Sequence, residues 1–213
     1  HQFEVWIVSA SNVWSVRWMV LHRLNPLLRK HEINSGILAD HVIGVSTLLS
    51  DPSGRLYKDT VLVREHPAYA VLDENELNSW RLTRWLQYPV PTYSGKVGTI
   101  WDLLRRRPYL CAGDSPGDHA MLSYSENRLW IARVEKPEYQ QATLELIHQT
   151  GETGWIIQPV ISRKVPGFVS DLEAIERKLP LVPPKARTGL DLIQKLLSPD
   201  ILHVSCVGKD FGQ

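Results

Sequence analysis

The feature of this sequence that most constrains its fold is a repeated order of short apolar run, polar turn and amphipathic stretch. Residues 3–8 form a β-rich run, residues 9–12 a polar turn, and apolar residues then recur at helical spacing from position 13 to about position 30. Strands that alternate with helices indicate a parallel sheet covered on both faces, because each crossover between parallel strands carries a helix. We therefore predict an α/β, Rossmann-like fold.

The next part of the chain continues this order less regularly. Residues 41–49 read as a second strand, and the turn signal at 50–54 lets residues 56–64 pair back as a hairpin. Between positions 65 and 92 the pattern is poor and rich in Trp and Tyr. We interpret residues of about 50–93 as an insertion or long loop, with a short helix near 75–86.

The later part of the chain returns to a clear alternation. In chain order we predict a helix at 95–104, a strand at 109–112, a polar turn at 113–118, a short helix at 119–123, a strand at 128–133, a helix at 137–148 and a strand at 155–160. Prolines separate two helix-like segments after position 166. We accordingly assign residues 1–160 to one core, with the insertion, and residues 161–213 to a C-terminal extension.

Composition excludes several classes of function. The 24 basic and 23 acidic residues give a formal net charge of +1, which argues against a partner that is nucleic acid. No apolar stretch approaches the roughly 18 residues that a membrane helix needs, so we predict no membrane span. The two cysteines, Cys111 and Cys206, are too few for a disulfide framework or a zinc site.

The clearest chemical signal is the turn at 113–118, which directly follows an apolar strand. Asp114 and Asp118 lie four residues apart in a glycine-rich loop. Magnesium prefers carboxylate, water and phosphate oxygens to a complete protein cage, so this pair suits Mg²⁺. The alternative is a solvated turn that the two aspartates cap.

Two further candidates follow other predicted turns. Lys96 comes directly after Gly95 at a predicted helix start, where backbone N–H groups and the ammonium can hold an anion. Ser9 ends the first strand, where its hydroxyl can donate to a phosphate oxygen. The alternatives are a surface lysine and a helix N-cap. Because ligands bind at the carboxyl ends of parallel strands, the positions of Ser9, Lys96 and Asp114 predict a single site.

The order of these signals resembles a known family. Ser9 after a strand, the pair Gly95-Lys96, and the string Gly113-Asp-Ser-Pro-Gly-Asp118 resemble the second, third and fourth motifs of the haloacid dehalogenase superfamily, over residues of about 3–160. Shorter segments look like bacterial phosphorylcholine phosphatases and phosphoserine phosphatase-like members of that family; they are residues 42–49, 93–97, 107–114, 129–133 and 155–159. The resemblance implies a partial haloacid dehalogenase-like core.

The resemblance also implies a function, the Mg²⁺-dependent hydrolysis of a small phosphomonoester through an aspartyl-phosphate. It implies that Ser9 hydrogen-bonds the phosphoryl group and that Lys96 neutralises its charge. Asp114 would ligate Mg²⁺, directly or through water, while Asp118 would support that ligation or orient Lys96. The partner implied is a small phosphorylated metabolite, with phosphorylcholine as one candidate.

One part of the family pattern is missing from the sequence. The family's nucleophile and acid/base are the aspartates of an Asp-x-Asp motif, and no Asp-x-Asp occurs among the 213 residues. In the family this motif precedes the serine motif, so we expect a core truncated before His1, a fragment that is inactive alone. The alternatives are a haloacid dehalogenase-like binding protein that has lost catalysis and a phosphatase of the phosphoserine type.

The tryptophans suggest how a substrate of this kind could be recognised. The sequence has eight tryptophans, and Trp80 and Trp85 lie in a polar neighbourhood, with Tyr88 and Tyr93 nearby. Such rings could form the wall of a pocket for a quaternary ammonium through cation–π contacts. The alternative is that they pack the insertion onto the core. Localisation stays open, although the phosphorylcholine phosphatases that the chain resembles are exported to the periplasm.

Overall fold

A computed structural model describes residues 3–33, 36–161, 167–168, 177 and 184–198. The chain is α/β and forms two compact units, residues 1–105 and residues 106–213. The division between these units falls inside the range that the sequence assigns to one core. Among the described residues, no helix combines the length and the apolar character needed to cross a bilayer.

The first unit begins with a parallel strand pair joined by a long helix. Strand β1 (Ile7–Asn12) leads directly into helix α1 (Val13–Met19), which continues through a π-helical turn (Val20–Leu24) into α2 (Asn25–Lys30). Strand β2 (Val42–Val45) then pairs with β1 in parallel. The predicted helix and parallel crossover are therefore confirmed. The predicted strand is displaced, because pairing starts at Ile7 rather than at Phe3.

The predicted strand at 41–49 is wrong in one respect, because it is two strands in two sheets. Strand β3 (Thr47–Ser50) belongs to an antiparallel sheet with the order β4 (Leu56–Tyr57), β3, β5 (Arg81–Leu86). The change of sheet occurs at the buried Ser46, whose hydroxyl donates to the Thr47 carbonyl oxygen 2.8 Å away. A local side-chain bond of this kind competes with the ladder bonds of a continuous strand.

The inserted segment contains helices where the sequence predicts a strand or a loop. They are α3 (Asp59–Glu65), α4 (Pro67–Ala70) and α5 (Glu74–Ser79). The predicted hairpin is confirmed only as far as Tyr57, and the predicted helix at 75–86 only as far as Ser79. Burial explains why residues 59–65 form a helix and not the second strand of the hairpin, since Leu62 and Val63 of α3 pack with Leu49 and Tyr69 in one core cluster.

Residues 81–86 form strand β5 and not the end of the predicted helix, and this difference also has a local cause. Asp73 caps α5 by accepting from the Asn75 and Glu76 amides at 3.0 and 3.1 Å, which fixes where that short helix begins. Beyond its end, the Thr83 hydroxyl donates to the Leu48 carbonyl oxygen at 2.8 Å. That bond ties β5 to β3, so pairing with an existing strand overrides the helical spacing of the apolar residues.

A buried ion pair connects α1 with the inserted helices. Arg17 donates to both carboxylate oxygens of Asp59, at 3.1 and 2.7 Å, and to the Ala39 carbonyl oxygen at 3.3 Å. The Tyr69 hydroxyl donates to Asp59 at 2.7 Å and accepts from the Trp14 indole at 2.7 Å. Burial and the Asp59 carboxylate raise the pKa of Tyr69 above its usual value, so the phenol keeps its proton.

The second unit follows the predicted alternation closely. Its elements are β6 (Leu110–Gly113), a 3-10 turn (Pro116–Asp118), α7 (His119–Tyr124), β7 (Asn127–Arg133), α8 (Pro137–Thr150), β8 (Trp155–Ile161), β9 (Gly167–Phe168) and α9 (Pro184–Leu196). Strands β6, β7 and β8 are parallel neighbours in that order, and β9 adds at the edge in antiparallel orientation.

The core of this unit combines a sheet face with helices. Strand β7 buries every second residue from Arg128 to Ala132, and the Trp130 indole between them donates to the buried Gln140 of α8 at 2.7 Å. Helix α9 packs against α8 and buries Leu190 and Ile193. This helix confirms one of the two helical segments predicted after position 166, while the other lies outside the described residues.

Candidate functional site

Ser9 lies where the pairing of β1 changes register. Val8 is opposite Ile43 and Asn12 is opposite Val45, so β1 has extra residues between those positions. The Ser9 hydroxyl oxygen accepts from the Ser11 amide at 3.1 Å. Asn12, not Ser9, is the N-cap of α1. The N-cap alternative for Ser9 is therefore wrong. The prediction that Ser9 ends the strand is also wrong, because β1 continues to Asn12 and Ser9 lies inside it, at the irregular part of the pairing.

Lys96 reaches the same strand from helix α6 (Ser94–Leu104), a helix that the sequence predicts correctly. The side chain is buried, with the residue 7% exposed, so the surface-lysine alternative is wrong. Its ammonium donates to the Val8 carbonyl oxygen at 3.1 Å. The structure therefore brings Lys96 to the residue that directly precedes Ser9.

The backbone before Lys96 explains why glycine is needed at position 95. Tyr93 has a positive φ of 47°, and the Gly95 amide donates to the Thr92 carbonyl oxygen at 2.8 Å. A Cβ atom at position 95 would overlap the Val90 carbonyl oxygen, so only glycine fits. This close turn sets the first turn of α6 and with it the direction of the Lys96 side chain.

Asp118 shapes the loop that follows β6. One carboxylate oxygen accepts from the Asp114 amide at 3.3 Å, from the Ser115 amide at 3.2 Å and from the Ser115 hydroxyl at 2.9 Å. Asp118 is buried against residue 113. A Cβ atom at position 113 would lie only 2.5 Å from the Cβ atom of Asp118, so the close contact between these residues requires Gly113. The structure thus brings Asp114 and Asp118 together in one closed loop.

Asp114 faces a cation that sequence reasoning missed. Its carboxylate accepts from the Arg133 guanidinium at 3.1 Å, and the same guanidinium donates to Glu135 at 3.1 Å. Burial lowers the pKa of Arg133, but hydrogen bonds to Glu135 and Asp114 outweigh it and raise that pKa above its usual value. The position of Arg133 in the sequence could have indicated this contact, since Arg133 ends β7, the parallel neighbour of β6.

His119 is a second group that the sequence did not single out. It directly follows Asp118, and its ring lies 3.0 Å from the Thr143 hydroxyl and 5.4 Å, between centroids, from Trp130. Burial lowers the pKa of His119, and the negative charge of Asp118 opposes that shift without cancelling it. The imidazole is therefore neutral near pH 7 and packs as part of the unit's interior.

The chemistry of the loop's donors fits part of a magnesium site. Mg²⁺ is usually held by few carboxylates together with waters and substrate phosphate, and Asp114 and Asp118 are of that type. Asp118 already accepts several hydrogen bonds from the loop, so Asp114 is the carboxylate more open to an ion. Within the described part of the chain, no group of three or more His, Cys, Asp and Glu side chains is placed to hold a metal.

The two predicted aromatic residues have different surroundings. The Trp80 ring packs edge-on against Tyr57, His66 and Tyr69, with centroids 5.1, 5.4 and 6.4 Å away. It thus contributes to the core cluster of the insertion, which agrees with the packing alternative. Trp85 is 49% exposed. The Arg84 guanidinium lies 5.3 Å from its ring centroid, so one face already has a cationic neighbour.

The four polar candidates thus fall in two places. Lys96 contacts the Val8 carbonyl oxygen in the first unit, next in the chain to Ser9, and Asp114 and Asp118 share a loop in the second. Their convergence on a single phosphate stays a prediction. Comparison of the chain with protein-family models gives no match, and comparison with curated protein sequences gives none either.

Proposed function

We propose that this chain supplies the phosphate- and magnesium-binding residues of a haloacid dehalogenase-type phosphatase that hydrolyses a small phosphomonoester. The observation that carries the proposal is the burial of Lys96, whose ammonium contacts the Val8 carbonyl oxygen of β1, directly before Ser9. Lysine is rarely buried, because removing an ammonium from water is costly. Lysine is a common phosphate-binding residue because its ammonium supplies a full positive charge. Ser9, which carries a hydroxyl donor, directly follows Val8 in the chain.

The loop after β6 supports the second half of the proposal. Asp118 closes the loop through its hydrogen bonds to the Ser115 amide and hydroxyl, which leaves Asp114 half-exposed at the carboxyl end of a parallel strand. Ligands of α/β proteins bind at this end of the sheet. We infer that Asp114 is the principal protein ligand for Mg²⁺ and that Asp118 acts mainly by fixing the loop.

Each residue has a defined task in this proposal. The Ser9 hydroxyl donates to a phosphoryl oxygen, and Lys96 neutralises part of the negative charge that phosphoryl transfer must accommodate. Bound Mg²⁺ would neutralise a further part of that charge. The 213 residues contain no Asp-x-Asp pair that could provide the nucleophile and the acid/base. We therefore expect this chain alone to bind phosphate without turning over a phosphomonoester.

The experiment is an assay of phosphorylcholine hydrolysis by the natural polypeptide that contains this chain. Lys96→Met should lower kcat/KM by about 100-fold or more, because it removes charge stabilisation at the reacting group. Lys58→Met is the matched control, since Lys58 is a half-exposed lysine of the same unit. Equal activity of the two variants would contradict the proposal, as would robust Mg²⁺-dependent turnover by the 213-residue chain alone.

A second candidate is a phosphate-binding protein without catalysis. The observation that favours it is that these 213 residues contain no Asp-x-Asp. It predicts that the natural polypeptide binds phosphate in a Lys96-dependent way but hydrolyses neither phosphorylcholine nor phosphoserine. The same assay separates the candidates, because only the phosphatase releases inorganic phosphate.

A further inference from the structure

The side chain that forms an ion pair with Asp114 comes from the neighbouring parallel strand. Strands β6 and β7 are parallel, and Gly113 lies opposite Trp130. The residue after β6 and the last residue of β7 therefore both lie at the carboxyl ends of these strands. Arg133 is that last residue, and its Nη1 atom lies 3.1 Å from Asp114 Oδ2. Arg133 lies two residues beyond Ile131, the position level with Asp114, and its side chain spans this offset.

A second contact holds the guanidinium in this position. Arg133 Nε donates to Glu135 Oε1 at 3.1 Å, while Nη1 donates to Asp114. The backbone of Arg133 is also held, since its carbonyl oxygen accepts from the buried Gln140 amide at 2.9 Å. An arginine anchored on two sides loses little further freedom when it binds a carboxylate. Arg133 is therefore preorganised beside the carboxylate that the proposed function assigns to Mg²⁺.

We propose that Arg133 is a positioning residue. Its guanidinium forms an ion pair with Asp114 in the metal-free protein and thereby sets the affinity of the loop for Mg²⁺. This inference rests on the proposed function. Mg²⁺ must either displace the guanidinium from Asp114 or share the carboxylate with it. In both cases a fixed positive charge competes with the ion. The pair thus keeps the carboxylate oriented and raises the Mg²⁺ concentration at which the loop fills.

The size of the effect follows from the exposure of the pair. The Arg133 and Asp114 side chains are 34% and 48% exposed, so solvent screens their attraction. A screened pair of this kind changes an equilibrium constant by a small factor, and the double charge of Mg²⁺ enlarges the effect to about five- to tenfold. Removing the Arg133 charge should therefore tighten Mg²⁺ binding by about this factor.

The test is calorimetric titration of MgCl₂ into the 213-residue chain and its variants. Arg133→Gln and Arg133→Met remove the charge, Arg133→Lys keeps it, and Arg187→Gln removes an exposed arginine of the same unit. We expect both neutral variants to bind Mg²⁺ about five- to tenfold more tightly than the unmodified chain. Arg133→Lys should stay close to the unmodified chain, and Arg187→Gln should match it.

The possible outcomes separate this inference from the function on which it rests. Circular dichroism spectra first establish that each variant is folded. Because there are two neutral variants, the test can still be made if one of them does not fold. Unchanged or weaker Mg²⁺ binding by the folded neutral variants would overturn the role of Arg133 alone. No Mg²⁺ binding by the unmodified chain and by every variant would overturn the proposed metal site and the inference together.

Discussion

Replacing Asp59 with asparagine removes the negative charge from the centre of the buried network in the first unit. Asp59 is 2% exposed and its partner Arg17 is fully buried. Arg17 donates to both oxygens of the carboxylate, at 3.1 and 2.7 Å, and the Tyr69 hydroxyl donates to one of them at 2.7 Å. Asparagine keeps the size of the side chain but leaves the guanidinium charge without compensation.

The expected loss can be worked out from this geometry. Breaking a buried ion pair by removing one partner costs about 3–5 kcal/mol, because the remaining charge stays out of water. We expect Asp59→Asn to lower the free energy of unfolding by that amount. Tyr69→Phe keeps the ion pair but removes two hydrogen bonds, one to Asp59 and one from the Trp14 indole, and should cost about 2–4 kcal/mol. The double variant Arg17→Met, Asp59→Leu should recover part of the loss, since apolar packing can replace a buried pair.

The assay is urea unfolding of the full chain, with the free energy obtained by linear extrapolation. Asp191→Asn, at an exposed position of α9, is the control and should stay within about 0.5 kcal/mol of the unmodified chain. A loss below about 1 kcal/mol for Asp59→Asn would refute the reasoning, because an uncompensated buried guanidinium cannot cost so little.

Two other predictions test the surroundings of the candidate residues. Gly95→Ala places a Cβ on the Val90 carbonyl oxygen, so it should destabilise the first unit and weaken phosphate binding. Gly54→Ala is the control: its positive φ of 88° strains the backbone, but no atom lies close to the added Cβ, so it should leave phosphate binding intact. Urea unfolding and phosphate titrations measure both variants. His119 has a lowered pKa, so the unfolded chain binds more protons than the folded chain below the usual value of 6.5. The free energy of unfolding should therefore fall as pH drops below 6.5, and in His119→Gln this fall should be smaller. Equal pH profiles for the two proteins would contradict the burial of this imidazole.

The second unit could be predicted from the sequence because its signals agree at every level. The apolar runs at 109–112, 128–133 and 155–160 are short and bounded by turn residues, and amphipathic stretches separate them. Each run therefore corresponds closely to one of the strands β6, β7 and β8. Local pattern and parallel pairing lead to the same structure here, which is the condition under which sequence reasoning works.

The first unit was harder to predict for two physical reasons. The run at 41–49 is continuous in sequence, and nothing in its pattern marks the change of sheet at Ser46, which depends on the pairing of β3 with distant strands. Likewise, the apolar residues 61–63 fit a strand as well as a helix, and tertiary burial of Leu62 and Val63 decides between them. Both errors concern contacts that are remote in sequence.

The candidate site shows the same contrast. Lys96 and Asp118 could be found because a glycine turn and a strand end accompany them. Arg17 and Arg133 could not, since an isolated arginine reads as a solvated residue until its carboxylate partner is known, 42 and 19 positions away along the chain. The contact between Lys96 and the Val8 carbonyl oxygen, 88 positions apart, is likewise visible only in the structure.

The measurement that tests the account most directly is the binding of inorganic phosphate to the 213-residue chain with and without Mg²⁺, followed by calorimetry. If Lys96 and Asp114 act on the same phosphate, Mg²⁺ must tighten phosphate binding, and phosphate must tighten Mg²⁺ binding by the same factor. We predict that Asp114→Asn abolishes this mutual enhancement and that Lys96→Met abolishes phosphate binding, while Lys58→Met and Asp191→Asn change neither. Phosphate binding that is indifferent to Mg²⁺, or that survives in Lys96→Met, would contradict the account.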